Sequence, residues 1–336
     1  MAEPTIQLDH GSGGRAMHEL VGRLFAEAFA NPYLNELNDS AVLELGGSRI
    51  ALTTDSYVVD PVIFPGGDIG SLAVHGTVND LAMRGARPLY LTAGFILEEG
   101  LSLALLERIV RSMGAAARAA GVLVVAGDTK VVPRGKADKL FINTAGVGLV
   151  PVGLNLGGQY ARPGDTVLIS GTMGDHGMAI LCRREGLQLE NEIQSDSAAL
   201  HELVQEMLAA CPEIHVLRDP TRGGVATTLN EIAQQSGVGI RLEEAWLPVR
   251  EDVAGACELL GLDPLYVANE GKLLALLPAE QSERVLEVMR AHPRGRSACR
   301  IGEVVAADPG RVMLRTRIGG HRLIDMLRGE QLPRIC

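Results

Sequence analysis

Strand-like and helix-like segments take turns along this chain, and that alternation restricts it to layered mixtures of sheets and helices. Residues 48–59, SRIALTTDSYVV, are rich in β-formers and end near a Thr-Thr-Asp. GSLAVHGTVNDLAMRGA (70–86) reads as a helix with Ser71 as its N-cap. RPLYLTAGFIL (87–97) predicts a buried strand. LSLALLERIVRSMGAAARAAG (101–121) sets Leu105, Ile109, Met113, Ala116 and Ala120 at helical spacing and stops at Gly121. VLVVAGD (122–128) and KLFINTAGVGLV (139–150) predict two further strands. The fold class is therefore α/β or interleaved α+β. Apolar residues make up 46% of the chain but aromatics only 3%, so Ala, Val, Leu and Gly fill a core in which helices lie close on sheets.

A second unit starts at YARPGDTVLISG (160–171), where Arg-Pro-Gly-Asp forms a turn that launches a new strand. Helices are expected near 174–185 and 196–210. RDPTRGGVATTLNEIAQQSG (218–237) then reads as a Gly-rich turn running into a helix. GIRLEEAWLPV, GKLLALLP, RIGEVV and RVMLRTRIGG predict strands, and QSERVLEVMRAH an amphipathic helix. The expected organisation is one domain over 1–157, a second over 158–327, and a mobile tail over 328–336. The tail, ending QLPRIC, shows nothing to bury and finishes on Cys336.

Several function classes drop out on composition. A formal net charge of −10 with no long basic run disfavours nucleic acid and anionic membrane surfaces. The chain lacks an apolar run long enough to cross a membrane, and its start does not read as a signal peptide. Its 5 cysteines are widely spaced with no C-x-x-C, which reads as reduced thiols in a cytoplasmic protein.

The chemistry-bearing residues lie at element ends. Asp39 (NDSA), Asp55 (TTDS), Asp128 (GDTK) and Asp219 (RDPTRGG) sit beside turns, while Asp80 (NDLA) lies inside a helix. One such Asp is ordinarily a solvated loop carboxylate or a cap. Several sharing a cleft would repel unless hard cations and a polyphosphate joined them, and Mg²⁺ with oxygen ligands is the usual solution. In DHGSGGRAM, Gly11, Ser12, Gly13 and Gly14 can aim successive N–H groups at an anion, with a helix starting at Arg15 behind them. Thr221, Arg222, Gly223 and Gly224 form a similar turn-to-helix junction, although the chain has no Walker A string. Lys130 and Glu270 complete the set as a pair able to position and remove a proton.

Taken in order, GSGG, NDSAV, TTDS, NDLAMRGA, GDTK, RPGD, RDPTRGG and NEGK resemble the PurM-like superfamily of ATP-dependent enzymes over essentially the whole chain. The ending PRIC makes the chain most similar to the HypE family of [NiFe]-hydrogenase maturation factors. The resemblance implies an N-terminal domain that forms a homodimer through a shared β-barrel, and a C-terminal α/β domain packed against it. It implies ATP and Mg²⁺ in the groove between them, with Asp39, Asp55, Asp80, Asp128 and Asp219 holding metal. Gly11–Gly14, Asn79 and Thr221–Gly224 would hold the nucleotide, and Cys336, Lys130 and Glu270 would carry the reaction. That reaction is the ATP-dependent dehydration of an S-carbamoyl group on Cys336 to a thiocyanate. The implied partners are the carbamoyltransferase HypF and the HypC–HypD complex. Selenophosphate synthetase fits less well, because its reactive residue precedes the Gly-rich loop, where this chain has Leu8-Asp9-His10. A non-enzymatic carrier would not need the acidic set. With a carboxylate beside its thiol, Cys336 is expected to need Arg334, Arg328 or a partner's basic group to ionise.

Overall fold

The computed structural model describes residues 5–187, 190–329 and 331–336. In its first half come α1 (Arg15–Leu20), β1 (Ala41–Leu45), β2 (Ser48–Tyr57), the short pair β3 (Ile63–Phe64) and β4 (Gly67–Asp68), α2 (Ile69–Met83), β5 (Arg87–Glu98), α3 (Leu103–Ala119), β6 (Leu123–Val132) and β7 (Leu140–Val150). Five strands form one sheet in the order β1-β2-β7-β5-β6, and only β5 and β6 run parallel. The amphipathic helix α3 and the almost wholly buried α2 pack together against this sheet.

The second half supplies β8 (Asp165–Ile169), α4 (Asp175–Glu185), α5 (His201–Ala210), β9 (Val216–Arg218), α6 (Gly224–Ser236), β10 (Gly239–Glu243), α7 (Glu251–Leu260), β11 (Leu274–Pro278), α8 (Ser282–Ala291), β12 (Cys299–Val305), β13 (Val312–Arg315) and β14 (His321–Ile324). The strands form a sheet ordered β14-β13-β10-β12-β8-β11-β9. Side chains of one strand point alternately to opposite faces, and β8 uses both. Val167 and Ile169 join Leu229 and Ile232 of α6 in one core. Leu168 joins Leu203 and Met207 of α5, with Val285 and Met289 of α8, in another. A strand buried on both sides has no polar face, which is why DTVLI shows no alternation. With antiparallel neighbours dominating both sheets, the fold is α+β.

Two local expectations are revised. Helix α2 starts three residues earlier than a Ser71 cap implies, because Asp68 caps it. The Asp68 carboxylate accepts from Gly70 N at 2.9 Å and Ser71 N at 3.0 Å, while Ser71 closes a reciprocal box. The helix expected from 196 begins at His201, because Asp196 accepts from Glu270 N in the turn before β11 and Ala198 O accepts from Asn79 of α2. Residues after Gly320 form β14 against β13, and Met326 and Leu327 are buried.

The tail is docked rather than loose. Val58 N donates to Cys336 O at 2.9 Å and Asp60 N to Arg334 O at 3.2 Å, so the last residues run beside the segment that follows β2. Ile335 is buried in the core of the first half with Ile180 and Ala268 of the second. The groove that receives it is made by both halves, and no local pattern could announce it. Residue 330 of this segment lies outside the described residues. At the other extreme, β6 is an open edge strand on which every residue but Val132 is exposed. Because Asp68 is buried and satisfies two amides, Asp68→Ala should cost about 1 kcal/mol and lower the thermal midpoint by about 2–4 °C. Thermal unfolding measures this, and an unchanged midpoint would contradict it.

Candidate active site

Four of the five predicted aspartates face a single cleft between the halves. Asp39 precedes β1, Asp55 lies on β2, Asp80 on α2, and Asp219 follows β9. Thr53 Oγ1 lies 2.7 Å from Asp80 Oδ2 and 3.0 Å from the Asp39 carbonyl oxygen, tying two of them to β2. Burial pushes the Asp80 carboxyl well above its usual range, and Asp55, Asp219 and Asp39 push it further. Asp219 is raised by burial and by Asp39, against the pull of Arg218. Asp39 is raised to about 6, chiefly by burial, although Arg218 Nε stands 2.7 Å from its Oδ1. Arg218 also meets Glu231 at 2.6 Å, and His18 meets the same carboxylate at 2.7 Å.

Glu270 completes the acidic wall. It is 3% exposed, and burial, Asp219, Asp196 and Asp55 drive its carboxyl well above the usual range. Its Oε1 is buried without a hydrogen-bond partner, as is Asp39 Oδ2. Among the described residues no three His, Cys, Asp or Glu stand close enough to hold a metal by themselves. Beside Asp39 opens a cavity of about 540 Å³ lined by Met17, His18, Tyr33, Leu37 and Leu52.

The two Gly-rich loops meet at this cleft. Gly13 has φ +77°, and a Cβ there would come 2.6 Å from Arg222 Cβ, so only glycine lets the loops touch. Arg222 Nη1 donates to Gly11 O at 3.0 Å, and Ser12 Oγ to Asp9 O at 2.9 Å. Two amides expected to face an anion are used internally: Ser12 N donates to Asp9 O at 3.3 Å and Gly14 N to Ser12 Oγ at 3.3 Å, while Arg15 N behind them donates to Leu327 O at 2.9 Å. Thr221, Gly223 and Gly224 form the turn into α6, where Gly224 N donates to Thr221 O at 2.9 Å. Asn79 is a clasp. Its amide nitrogen donates to Ala198 O at 3.0 Å and Glu270 O at 3.2 Å, and its oxygen accepts from Leu200 N at 2.9 Å.

Into this setting the chain inserts its own C-terminus. Cys336 is partly exposed as a residue, yet its thiol is enclosed, and burial pushes it up to about 12. Arg222 opposes that shift, while Glu270 and Asp55 add to it. In return, Cys336 is the main reason the Arg222 guanidinium holds its proton more tightly than usual. The expected cations face elsewhere. Arg334 pairs with Asp138 and donates to Val58 O at 3.0 Å, and Arg328 pairs with Asp325 at 2.5 Å.

Residues 37–150 match the AIR synthase related protein N-terminal domain, and residues 162–315 its C-terminal domain. A carbamoyl dehydratase HypE from Azotobacter vinelandii is 63% identical over 332 residues, covering 99% of this chain and 97% of that protein. The chain belongs to the HypE family of carbamoyl dehydratases. A crystal structure of the hydrogenase maturation protein HypE in complex with ATP is 58% identical, with a TM-score of 0.84 over 99% of this chain and 100% of that one. A HypE chain from a HypE–HypF complex is 50% identical, with a TM-score of 0.88 over 92% of this chain and 99% of that one.

Two predicted HypE site residues are absent from this cleft. Asp128 and Lys130 pair with each other at 2.6 Å on β6, with side chains 68% and 69% exposed. The Lys130 hydrogen bond and the Thr129 amide hold the Asp128 carboxyl below its usual range, and no cleft group contributes. They lie on an edge strand that meets solvent on both faces. Two residues that do shape the site, Arg218 and Glu231, went unnoticed because an Arg before a turn and a Glu on a helix are ordinary surface residues.

Asp80 takes up its proton more readily folded than unfolded, so its burial is tolerated at low pH and destabilises as pH rises above about 4. Without metal or nucleotide, Asp80→Asn should therefore melt a few degrees above the parent at pH 8 and converge with it near pH 4. Thermal scans at both pH values check this; a variant that melts lower throughout would contradict it.

Proposed function

We propose that Cys336 carries the substrate of this carbamoyl dehydratase as an S-carbamoyl group and presents it to ATP in the cleft. The observation that carries this reading is the position of the terminal thiol against Arg222, Glu270 and Asp55. Converting S–C(=O)–NH₂ to S–C≡N requires oxygen to leave, and oxide is not a workable leaving group. Transfer of the γ-phosphoryl group of ATP to the carbonyl oxygen releases ADP, and the oxygen then departs within phosphate. Both N–H protons are lost along the way. Glu270, buried and held above its usual range, is suited to accept one of them. Arg222 would offset the negative charge gathered around the reacting group.

The nucleoside fits the cavity beside Asp39, and the GSGG loop would turn its amides toward the phosphates. The acidic wall suits Mg²⁺. Asp39 Oδ2 is a buried oxygen without a partner, and burial together with neighbouring carboxylates raises Asp80 and Asp219, so a shared cation relieves the wall. Asp39, Asp55, Asp80 and Asp219 would hold the ion together with phosphate oxygens, since they do not enclose a metal unaided. Bound there, Mg²⁺ supplies charge neutralisation for the phosphoryl group being transferred.

The open β6 edge supports a homodimer. Leu123, Val125 and Val131 are 63%, 57% and 67% exposed there, and an edge strand with such apolar residues calls for a cover. Closing two sheets into a shared barrel would bring Asp128 and Lys130 of each protomer toward the other's cleft. HypF would load Cys336, and the HypC–HypD complex would accept the cyanide destined for the iron of [NiFe]-hydrogenase. A thiol that must stay reduced suits the cytoplasm. No helix among the described residues is long and apolar enough to cross a membrane.

Intact-mass analysis tests the reading with HypF, carbamoyl phosphate and ATP-Mg²⁺. The chain should gain one carbamoyl group at Cys336 and then lose the mass of one water, and Cys336→Ala should show neither change. An adduct elsewhere, or one that never dehydrates, would refute it. If Lys130 acts across the dimer, mixing inactive Lys130→Ala with inactive Cys336→Ala should restore dehydration, because each mixed dimer holds one complete site. Mixed dimers that stay inactive would return Lys130 to its own protomer, and an active Lys130→Ala would deny it any role.

A further inference from the structure

All four of the last carbonyl groups of the chain are hydrogen-bonded in the docked tail. Cys336 O and Arg334 O accept from Val58 N and Asp60 N. Pro333 O accepts from Arg184 Nη1 at 2.6 Å, and Arg334 O also accepts from Arg184 Nη2 at 2.8 Å. Ile335 O accepts from His176 Nε2 at 2.8 Å. The same guanidinium spans to the first half of the molecule, with Nη2 2.6 Å and Nε 3.0 Å from Asp60 O. Arg184 therefore joins the tail and the segment after β2 in one planar fork.

His176, Ile180 and Arg184 follow one another at four-residue spacing on α4, so they share a face. Ile180 lies in the same buried cluster as Ile335. The imidazole is fixed in role and plane. Its Nδ1 is 2.8 Å from Ser195 Oγ, which leaves the Nε2 proton for the carbonyl, and the Phe64 ring meets it edge-on at 5.6 Å. Burial holds the ring neutral. One face of one helix thus reads the backbone of residues 333–335 and packs the side chain between its two polar contacts.

We propose that Arg184 and His176 form a latch on the main chain of the C-terminal segment, and that the latch sets how much of the time Cys336 lies in the cleft. This rests on the reading that the thiol is loaded outside and dehydrated inside. Because the latch bonds carbonyl groups three positions or fewer from the sulfur and none of its atoms, a carbamoylated tail is held as well as a free one. The latch residues touch neither nucleotide-binding loop, so they are positioning residues. Weakening them should change two rates in opposite directions. Modification of Cys336 from solvent should quicken, and dehydration in the cleft should slow.

The first test needs no partner. Iodoacetamide labelling is followed by peptide mass on the full-length protein, with half-buried Cys299 and buried Cys182 and Cys257 as internal references. Arg184→Met should speed labelling of Cys336 about tenfold and leave the references unchanged. His176→Leu should do so to a smaller extent, whereas His176→Gln, which keeps an N–H for Ile335 O, should stay near the parent rate. On protein loaded by HypF, Arg184→Met should dehydrate about tenfold more slowly, with loading not slowed and the ATP Kd unchanged. Unchanged labelling of Cys336 in both Arg184→Met and His176→Leu would overturn the latch. So would faster labelling of Cys182 and Cys257 in parallel, which would mean general loosening. If labelling responds as expected but loaded parent protein never dehydrates, the latch stands and the proposed reaction fails.

Discussion

Carboxylates held close together away from water repel one another, and much of this protein is arranged to keep five of them facing one cleft. Asp55 sits on a strand, Asp80 on a buried helix, Asp39 and Asp219 at strand ends, and Glu270 before β11. These are rigid positions backed by apolar cores on both sides, so the repulsion is not relieved by the backbone moving apart. Burial, with that repulsion added, raises the carboxyl groups of Asp39, Asp80, Asp219 and Glu270 and leaves a standing affinity for cations. Arg218 meets part of that demand from below. The rest is left for a ligand, which is how binding energy is stored for catalysis rather than spent on stability.

Burial governs the thiol, and the same carboxylates add to its effect. Inside the cleft Cys336 is pushed up to about 12, so near neutral pH it is protonated and a poor nucleophile. Loading within the cleft is thereby disfavoured, and the tail has a chemical reason to leave before it reacts. A carbamoylated sulfur has no charge to suppress. It can return to a position between Arg222 and Glu270 that would not suit a thiolate without Arg222. Recognition of the tail through its main chain fits this cycle, since the contacts that hold it are unaffected by what the sulfur carries.

Much of the architecture was legible because local pattern and tertiary role agreed. Helix α3 and the strands flanking it follow from helical spacing and β-branched runs. The four cleft aspartates and Glu270 also converge as their resemblance to PurM-like motifs implies. What stayed hidden depended on contacts distant in sequence. The tail reads as solvent-exposed because its groove is built from residues after β2 and from α4, more than a hundred positions away. Arg222 and Asn79 both read as nucleotide ligands; their further places, one beside the thiol and the other clasping two loops, were not legible. Asp128 and Lys130 follow a family motif faithfully, but their strand is the edge of its sheet. Ser71 looked like a cap because it begins a plausible helix, while Asp68 outcompeted it with a carboxylate that reaches two amides.

The central claim is that ATP activates the carbonyl oxygen of a carbamoyl group borne by Cys336. It is tested most directly by loading Cys336 with carbamoyl labelled with heavy oxygen at the carbonyl and following the label through one turnover. The account predicts that inorganic phosphate acquires one labelled oxygen for each thiocyanate formed. Label released to water with unlabelled phosphate would contradict it.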